Sequence, residues 1–264
     1  MRATGKGTGV TVWQVAAWAD LGIRHGFTDR RGGVSLSPYD SLNLGFHVGD
    51  DPARVRENRR RACEALGVSP GSLVVAQQVH GARVAVVTRE DAGRGAEEPA
   101  GAVPGADALI TADAGPVLAG LYADCVPVLL FDPKTPAAGL VHAGWRGTAQ
   151  VIAARAVEAM REAFGTRPED CLAAIGPSIG PCCYEVGSEV ADRFGPSARR
   201  YFMRKGGRWH LDLWQANREA LEAAGLPAAA IWTAQVCTCC RSDLFFSHRG
   251  SGGRTGRMAA LIGL

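Results

Sequence analysis

The chain has 264 residues, a formal charge of +3, and 47% hydrophobic against 21% charged residues. That length suits one large domain or two small ones with a substantial core, and the composition is ordinary for a globular chain. So small a net charge gives no warrant for a nucleic-acid or membrane partner, yet would not repel an anionic substrate. No stretch approaches the roughly 20 apolar residues that span a bilayer. Met1–Gly9 is Gly/Thr-rich and the apolar run after it is broken at Trp13, Gln14 and Asp20. No leader is read there, and a cytoplasmic location is expected.

In chain order, Val10–Ile23 reads as strand and turn, followed by a Gly-rich turn at Phe27–Gly33 and a loop from Pro38 to Gly49. Asp51-Pro52 opens a helix, the aspartate capping and the proline suiting the first turn, and Gly67 closes it after Leu66. Leu73–Gln77 and Arg83–Thr88 are strand-like. Asp91–Gly105, rich in Gly, Ala, Glu and Pro, is expected to be a mobile surface loop. Ala108–Thr111, Val117–Tyr122, Val126–Phe131 and Gly139–Val141 read as buried strands. A helix is expected over Thr148–Phe164, with Gly165 past its end. Next come a short strand at Leu172–Ile175, a turn at Pro177–Cys183 and a short helix at Ser188–Phe194. Trp209–Asp212 leads into a helix to Ala224, Ile231–Val236 is a strand, and Met258–Leu261 closes the chain. Strands and helices interleave without a composition break or internal repeat. The expectation is a single α/β domain over residues 1–264, with mixed sheets flanked by helices.

Three residues point to chemistry. His80, Cys125 and His142 sit in Gln77-Gln78-Val79-His80-Gly81, Ala123-Asp124-Cys125-Val126-Pro127 and His142-Ala143-Gly144-Trp145-Arg146-Gly147, at or near predicted strand ends. Two imidazoles and a thiolate match the ligand count of a catalytic zinc site with one open position. The same atoms also suit a Cys–His nucleophile pair. The bland alternative is three scattered core residues, since no short zinc signature links them.

Other residues carry weaker signals. Arg54, Arg56, Arg60 and Arg61 read as a solvated helix face, with Arg59 the best inward-facing anion contact. Arg146 is the stronger candidate for phosphate or carboxylate, by paired hydrogen bonds. Asn43 offers an amide suited to a sugar or base edge, against an Asx turn as the local alternative. Cys237 and Cys240 have C-x-x-C spacing, but Cys182-Cys183 lacks the spacing of a second metal-binding pair. These cysteines are therefore expected to be buried thiols rather than metal ligands.

From His25 to Met258 the chain resembles the YfiH family, also named the multicopper polyphenol oxidoreductase (laccase) family. The likeness rests on His25-Gly26-Phe27-Thr28, Pro38-Tyr39-Asp40-Ser41-Leu42-Asn43-Leu44-Gly45, Asn58-Arg59, Gln78-Val79-His80-Gly81, Ala123-Asp124-Cys125, His142-Ala143-Gly144-Trp145-Arg146-Gly147, Cys182-Cys183-Tyr184-Glu185-Val186 and Phe245-Phe246-Ser247-His248-Arg249. Minor departures are Gly250, where a second basic residue is common, and Asp29, where a hydroxyl is. The resemblance implies mixed sheets flanked by helices and a metal, zinc above all, on His80, Cys125 and His142. It also implies phosphorolysis of adenosine, inosine and 5′-methylthioadenosine, and deamination of adenosine. Purine nucleosides and phosphate would then be its partners, Asp124 and Cys125 its catalytic residues, and Asn43, Arg59 and Arg146 its substrate contacts. Water activated at zinc suits attack on C6 of adenine. A related cysteine-hydrolase likeness keeps a Cys125 nucleophile open, acting on an amide or a peptidoglycan precursor. A non-catalytic metal-binding protein is the third possibility, and would need a fourth ligand from Cys182 or Cys183. Copper is reported for the family, but a multicopper centre needs many imidazoles. Six histidines, none in His-x-His, do not build one within the chain.

Overall fold

A computed structural model describes residues 1–4 and 9–264; positions 5–8, inside the Gly/Thr-rich start, lie outside the described residues. The helix expected after Asp51 forms over Pro52–Leu66. The Asp51 side chain accepts from the Ala53 amide, and Gly67 turns left-handed at φ +73° to end it. Val55, Ala62, Cys63 and Leu66 form its buried face.

That face covers a six-stranded mixed sheet ordered Arg2–Thr4, Val12–Gln14, Arg24–Thr28, Met258–Gly263, Val117–Tyr122, Leu73–Val75. A second six-stranded sheet runs Ile231–Thr233, Leu172–Ile175, Val126–Asp132, Ala137–Ala143, Ala108–Thr111, Val84–Val86. Alternation along each strand decides what meets what. Leu73, Val75, Val117, Ala119 and Leu261 face the first helix. Their neighbours Val74, Leu118, Ala260 and Ile262 pack against Leu109, Leu129, Phe131 and Leu140 of the second sheet. On that sheet's far face, Ile110, Val128, Leu130 and Val141 meet the helices Ile152–Phe164 and Leu213–Ala223 through Ile152, Ala156, Met160 and Leu221. The result is four layers, helix–sheet–sheet–helix. A three-stranded sheet of Glu185–Val186, Arg208–Leu211 and Phe202–Lys205 flanks them.

The topology makes two steps between the sheets that matter below. Leu73–Val75 belongs to the first sheet and Val84–Val86 to the second, so residues 76–83 cross over. Val117–Tyr122 and Val126–Asp132 are likewise in different sheets, and residues 123–125 make that crossing.

Four expectations need correction. Residues 91–105 lie at the surface as expected, but they are tethered along their length to the first sheet. Gly93 donates to Leu73, Arg94 accepts from Val75, Val103 donates to Val75 and accepts from Gln77, and Ala96 and Val103 are buried. The expected helix over 148–164 is two helices, Trp145–Ala149 and Ile152–Phe164, parted by Val151 at φ +53°. The first is pinned separately, because Asn217 donates to the Thr148 hydroxyl at 3.0 Å. The segment at Trp209 is not a lead-in to the following helix but a strand, Arg208–Leu211, paired on both sides. Finally, the strand expected over 231–236 stops at Thr233.

Asn58 shows how the first helix fixes the loop ahead of it. Its buried amide accepts from Val34 N at 2.8 Å and donates to the Ser35 hydroxyl and to the carbonyls of Ser41 and Asn43. Asn58→Ala strands these buried groups and should cost about 2 kcal/mol or more, read as a lower midpoint in urea unfolding with an unchanged slope.

Candidate metal centre and cleft

His80 lies in the first crossing. The Gln78 side chain imitates a strand there: its Nε2 donates to the Leu121 carbonyl at 3.0 Å and its Oε1 accepts from Leu121 N at 2.9 Å. The next three amides all converge on one carboxylate. Asp107, fully buried, accepts from Val79 N at 3.2 Å, His80 N at 2.9 Å and Gly81 N at 2.7 Å. So clamped, His80 sits at φ +59°, a conformation that costs free energy in a non-glycine residue.

His142 projects from the strand Ala137–Ala143 onto the same carboxylate, Nδ1 to Asp107 Oδ1 at 2.8 Å. With Asp107 ionised, Nδ1 keeps its proton, so Nε2 is the nitrogen that gives up its own to a metal. Burial alone would raise the Asp107 carboxyl, but His142 and the amides of Gly81 and Val79 outweigh it and hold it below the ordinary value.

Cys125 ends the second crossing. Its neighbour Asp124, at φ +84°, accepts from the Thr238 hydroxyl at 2.6 Å and from Arg249 N at 2.7 Å, while its carbonyl accepts from Ile179 N at 2.9 Å. Cys125 Sγ lies 3.8 Å from His80 Nε2, and the donor atoms of His80, Cys125 and His142 all fall within 4.8 Å of one another. Burial would push the thiol up, but His142 and His80 pull it down. Burial would likewise push His142 down, but Cys125 and Asp107 raise it. Gly144 leaves the room they need, since a Cβ there would stand 3.0 Å from His80 Cδ2 and 3.2 Å from Cys125 Sγ. The donor set is borderline-soft and converges on one point, with a carboxylate behind one imidazole. These residues fit a zinc-type ion held by three protein ligands.

The three donors floor a cleft of about 530 Å³. Residues 91–105, whose tethering was not expected, supply one wall through Gly95, Pro99 and Ala102. Another wall carries Arg59, Arg257 and His47. Arg59 is buried, donating to the carbonyls of Leu44, Gly95 and Ala96 with its guanidinium 4.4 Å above the Phe46 ring. Arg257 donates to the carbonyls of Thr255 and Gly256. Among the described residues, neither has a carboxylate within ion-pair distance. Burial, then Arg257, then Arg59 push His47 down to about 4, so its imidazole is neutral at pH 7.

Other expected site residues stand elsewhere. Asn43 is fully buried and its amide is spent locally, on Gly45, Arg257 N and Asp50, which makes it a loop pin rather than a substrate contact. Arg146 stacks on the Trp145 ring at 4.4 Å and is not among the cleft-lining residues. Both Asp124 carboxylate oxygens are engaged with protein donors, so it positions the Cys125 turn. Sequence reasoning missed Asp107 and Arg257. The one available signal was a charge directly ahead of a wholly buried strand, Ala108–Thr111 or Met258–Gly263. Cys182, Cys183, Cys237 and Cys240 are not scattered buried thiols but a second group apart from His80, Cys125 and His142, with Cys182 and Cys240 exposed.

Comparison with known proteins identifies the family. The sequence model of the multi-copper polyphenol oxidoreductase laccase family matches residues 24–264. The chain belongs to this family, whose solved members include YfiH and YlmD. It is 46% identical to the purine nucleoside phosphorylase YlmD of Geobacillus stearothermophilus over 243 residues, covering 90% of this chain and 89% of that protein. It is 39% identical to adenosine deaminase RL5 of an unknown prokaryotic organism over 237 residues, covering 88% and 90%. The crystal structure of Bacillus licheniformis YfiH superposes with a TM-score of 0.93 at 37% identity over 99% of this chain and 98% of that one. For YlmD of Geobacillus stearothermophilus the TM-score is 0.91 at 43% identity, over 98% and 97%. The laccase in the family name finds no multicopper constellation among the described residues: of six histidines only His80 and His142 meet at a common point.

Asp107→Asn removes the charge behind His142 and turns an amide NH2 toward backbone N–H groups. Zinc affinity should fall about 10- to 100-fold, measured by competition with a chromophoric chelator. Unchanged affinity would mean that the carboxylate does not organise the ligands.

Proposed function

We propose that the cleft is the active site of a zinc-dependent purine nucleoside enzyme, catalysing phosphorolysis of adenosine, inosine and 5′-methylthioadenosine and deamination of adenosine. The observation that carries this reading is that two features line one cleft. They are a three-donor metal set and two guanidiniums whose hydrogen bonds go to carbonyls rather than carboxylates. Relatives named purine nucleoside phosphorylase and adenosine deaminase support it. When bound, the metal supplies Lewis acidity at the cleft floor. His80, Cys125 and His142 would hold it, with copper accepted singly by the same donors.

The remaining work falls to the chain itself. Asp107 keeps His142 in one tautomer. Arg257 and Arg59 bind an anion, so phosphate is drawn to that wall and its charge is balanced there. We assign this role to Arg257 and Arg59 in place of Arg146, whose guanidinium stacks on Trp145 and is not among the residues lining the cleft. Val75, Ala76, Leu121 and Pro99 give the cleft an apolar side that excludes water from a flat base. No helix among the described residues is long and apolar enough to cross a membrane. Eight free cysteines suit the reducing cytoplasm, the location we assign to the protein.

A second reading is favoured by a specific feature. Cys125, His142 and Asp107 follow the nucleophile–base–orienter order of a cysteine hydrolase acting on an amide or a peptidoglycan precursor. His80 would then be dispensable, and Cys125 would label readily in metal-loaded protein. A purely structural metal is disfavoured, because Cys182 and Cys183 belong to the other thiol group and leave three donors here.

The decisive comparison is inosine phosphorolysis against adenosine deamination in Arg257→Ala, across a range of phosphate concentrations. Phosphorolysis should fall on the order of a hundredfold, with deamination much less affected and Arg146→Ala near wild type for both. A parallel fall in both activities, or loss in Arg146→Ala alone, would remove the anion-site assignment.

A further inference from the structure

Cys182 and Cys183 are adjacent in a tight turn, with Cys183 N and Tyr184 N both donating to the Gly180 carbonyl. Cys237 and Cys240 are spaced C-x-x-C on the turn that follows the strand Ile231–Thr233. The two turns are joined by a parallel bridge between Ser178 and Cys237, in which Thr238 N donates to the Ser178 carbonyl and Ser178 N to Val236. That bridge collects all four sulfurs. Cys240 Sγ lies 3.5 Å from Cys182 Sγ and 3.4 Å from Cys183 Sγ, and all four atoms fall within 4.8 Å of one another. Four thiolates around a tetrahedral zinc at ~2.3 Å stand ~3.8 Å apart, a value inside this range.

We propose that Cys182, Cys183, Cys237 and Cys240 form a second metal site, a closed four-thiolate centre that takes zinc. Gly180 N points at Cys237 Sγ from 3.2 Å. Lys205 donates to the Cys182 carbonyl, and Arg249 to those of Cys183 and Glu185. Zinc with four thiolates carries two net negative charges, and Lys205 and Arg249 bring two positive ones beside it. Cys239, the odd thiol of the run, is not one of the four converging donors, and its sulfur stands 3.4 Å from where a Cβ of residue 250 would be. Four protein sulfurs leave no open position, so the site is structural. Its place gives it a consequence. Ile179 N and the Thr238 hydroxyl, one on each cross-linked turn, both hold Asp124. A metal joining the turns thereby stiffens the support of the Cys125 turn from behind.

The test is metal content and cobalt spectroscopy of the intact protein. Wild type should carry about two zinc ions per chain. Cys182→Ser/Cys240→Ser should lose one and His80→Ala/His142→Ala the other. Cobalt-substituted protein should show intense sulfur-to-cobalt charge transfer that largely survives in the histidine variant and falls in the cysteine variant to the weak band of the single Cys125 thiolate. A measurement on wild type alone guards against misfolding: alkylation of Cys182 and Cys240 should accelerate at least about tenfold when a strong chelator is added. A stoichiometry of one that the cysteine substitutions do not change would overturn the proposal. So would labelling rates indifferent to the chelator, or a two-proton mass loss showing a disulfide in the metal-loaded protein.

Discussion

The Asp107 carboxylate accepts four hydrogen bonds in a fully buried place: three from the consecutive amides of Val79, His80 and Gly81, and one from His142 Nδ1. A carboxylate has about four lone-pair positions, so nothing is left over. These bonds tie the crossing that carries His80 to the strand that carries His142. They hold His80 in a left-handed conformation that it would otherwise leave, and they decide which imidazole nitrogen of His142 faces the thiol. The third donor, Cys125, is set by its neighbour Asp124, whose carboxylate is likewise filled by protein donors and does not line the cleft. Two carboxylates thus position one ligand set from behind, each satisfied by the protein alone.

The wall that carries Arg59 and Arg257 follows a different logic. Arg59 and Arg257 are drawn out of bulk water yet given carbonyl oxygens and an aromatic face instead of carboxylates. Carbonyls stabilise a guanidinium without cancelling its charge, so the wall stays positive, and His47 is kept neutral by burial and by that same field. Under the proposed function, this is the wall that takes the anion. The cleft therefore separates its functions by wall: soft donors on the floor, positive charge on one side, and apolar surface around them.

Much of this was legible in the sequence. Asp51-Pro52 and Gly67 marked both ends of the first helix because capping is local chemistry. The buried strands Ala108–Thr111, Val117–Tyr122 and Val126–Phe131 showed as apolar runs. His80, Cys125 and His142 were readable as donors beside small residues. Long-range partnership was not readable. Asp107 looks like any loop aspartate until the sheet brings Val79–Gly81 across to it. Asn43 and Arg146 lie in conspicuous motifs, but one is consumed by its own loop and the other is turned onto Trp145. Residues 91–105 have the composition of a loop, and only their bonds to Leu73, Val75 and Gln77 make them a wall. The pair Cys182-Cys183 has no metal spacing of its own, and only the Ser178–Cys237 bridge brings Cys237 and Cys240 beside it.

The claim on which the site rests is that Asp107 fixes His142 with its proton on Nδ1 and its lone pair on Nε2. Nitrogen-15 and proton NMR of histidine-labelled, zinc-loaded protein reads this directly. The account predicts a protonated Nδ1 with a downfield, slowly exchanging proton coupled to His142, and an Nε2 shift characteristic of a ligating nitrogen. A His142 ring protonated on Nε2, or on both nitrogens with zinc present, would contradict it.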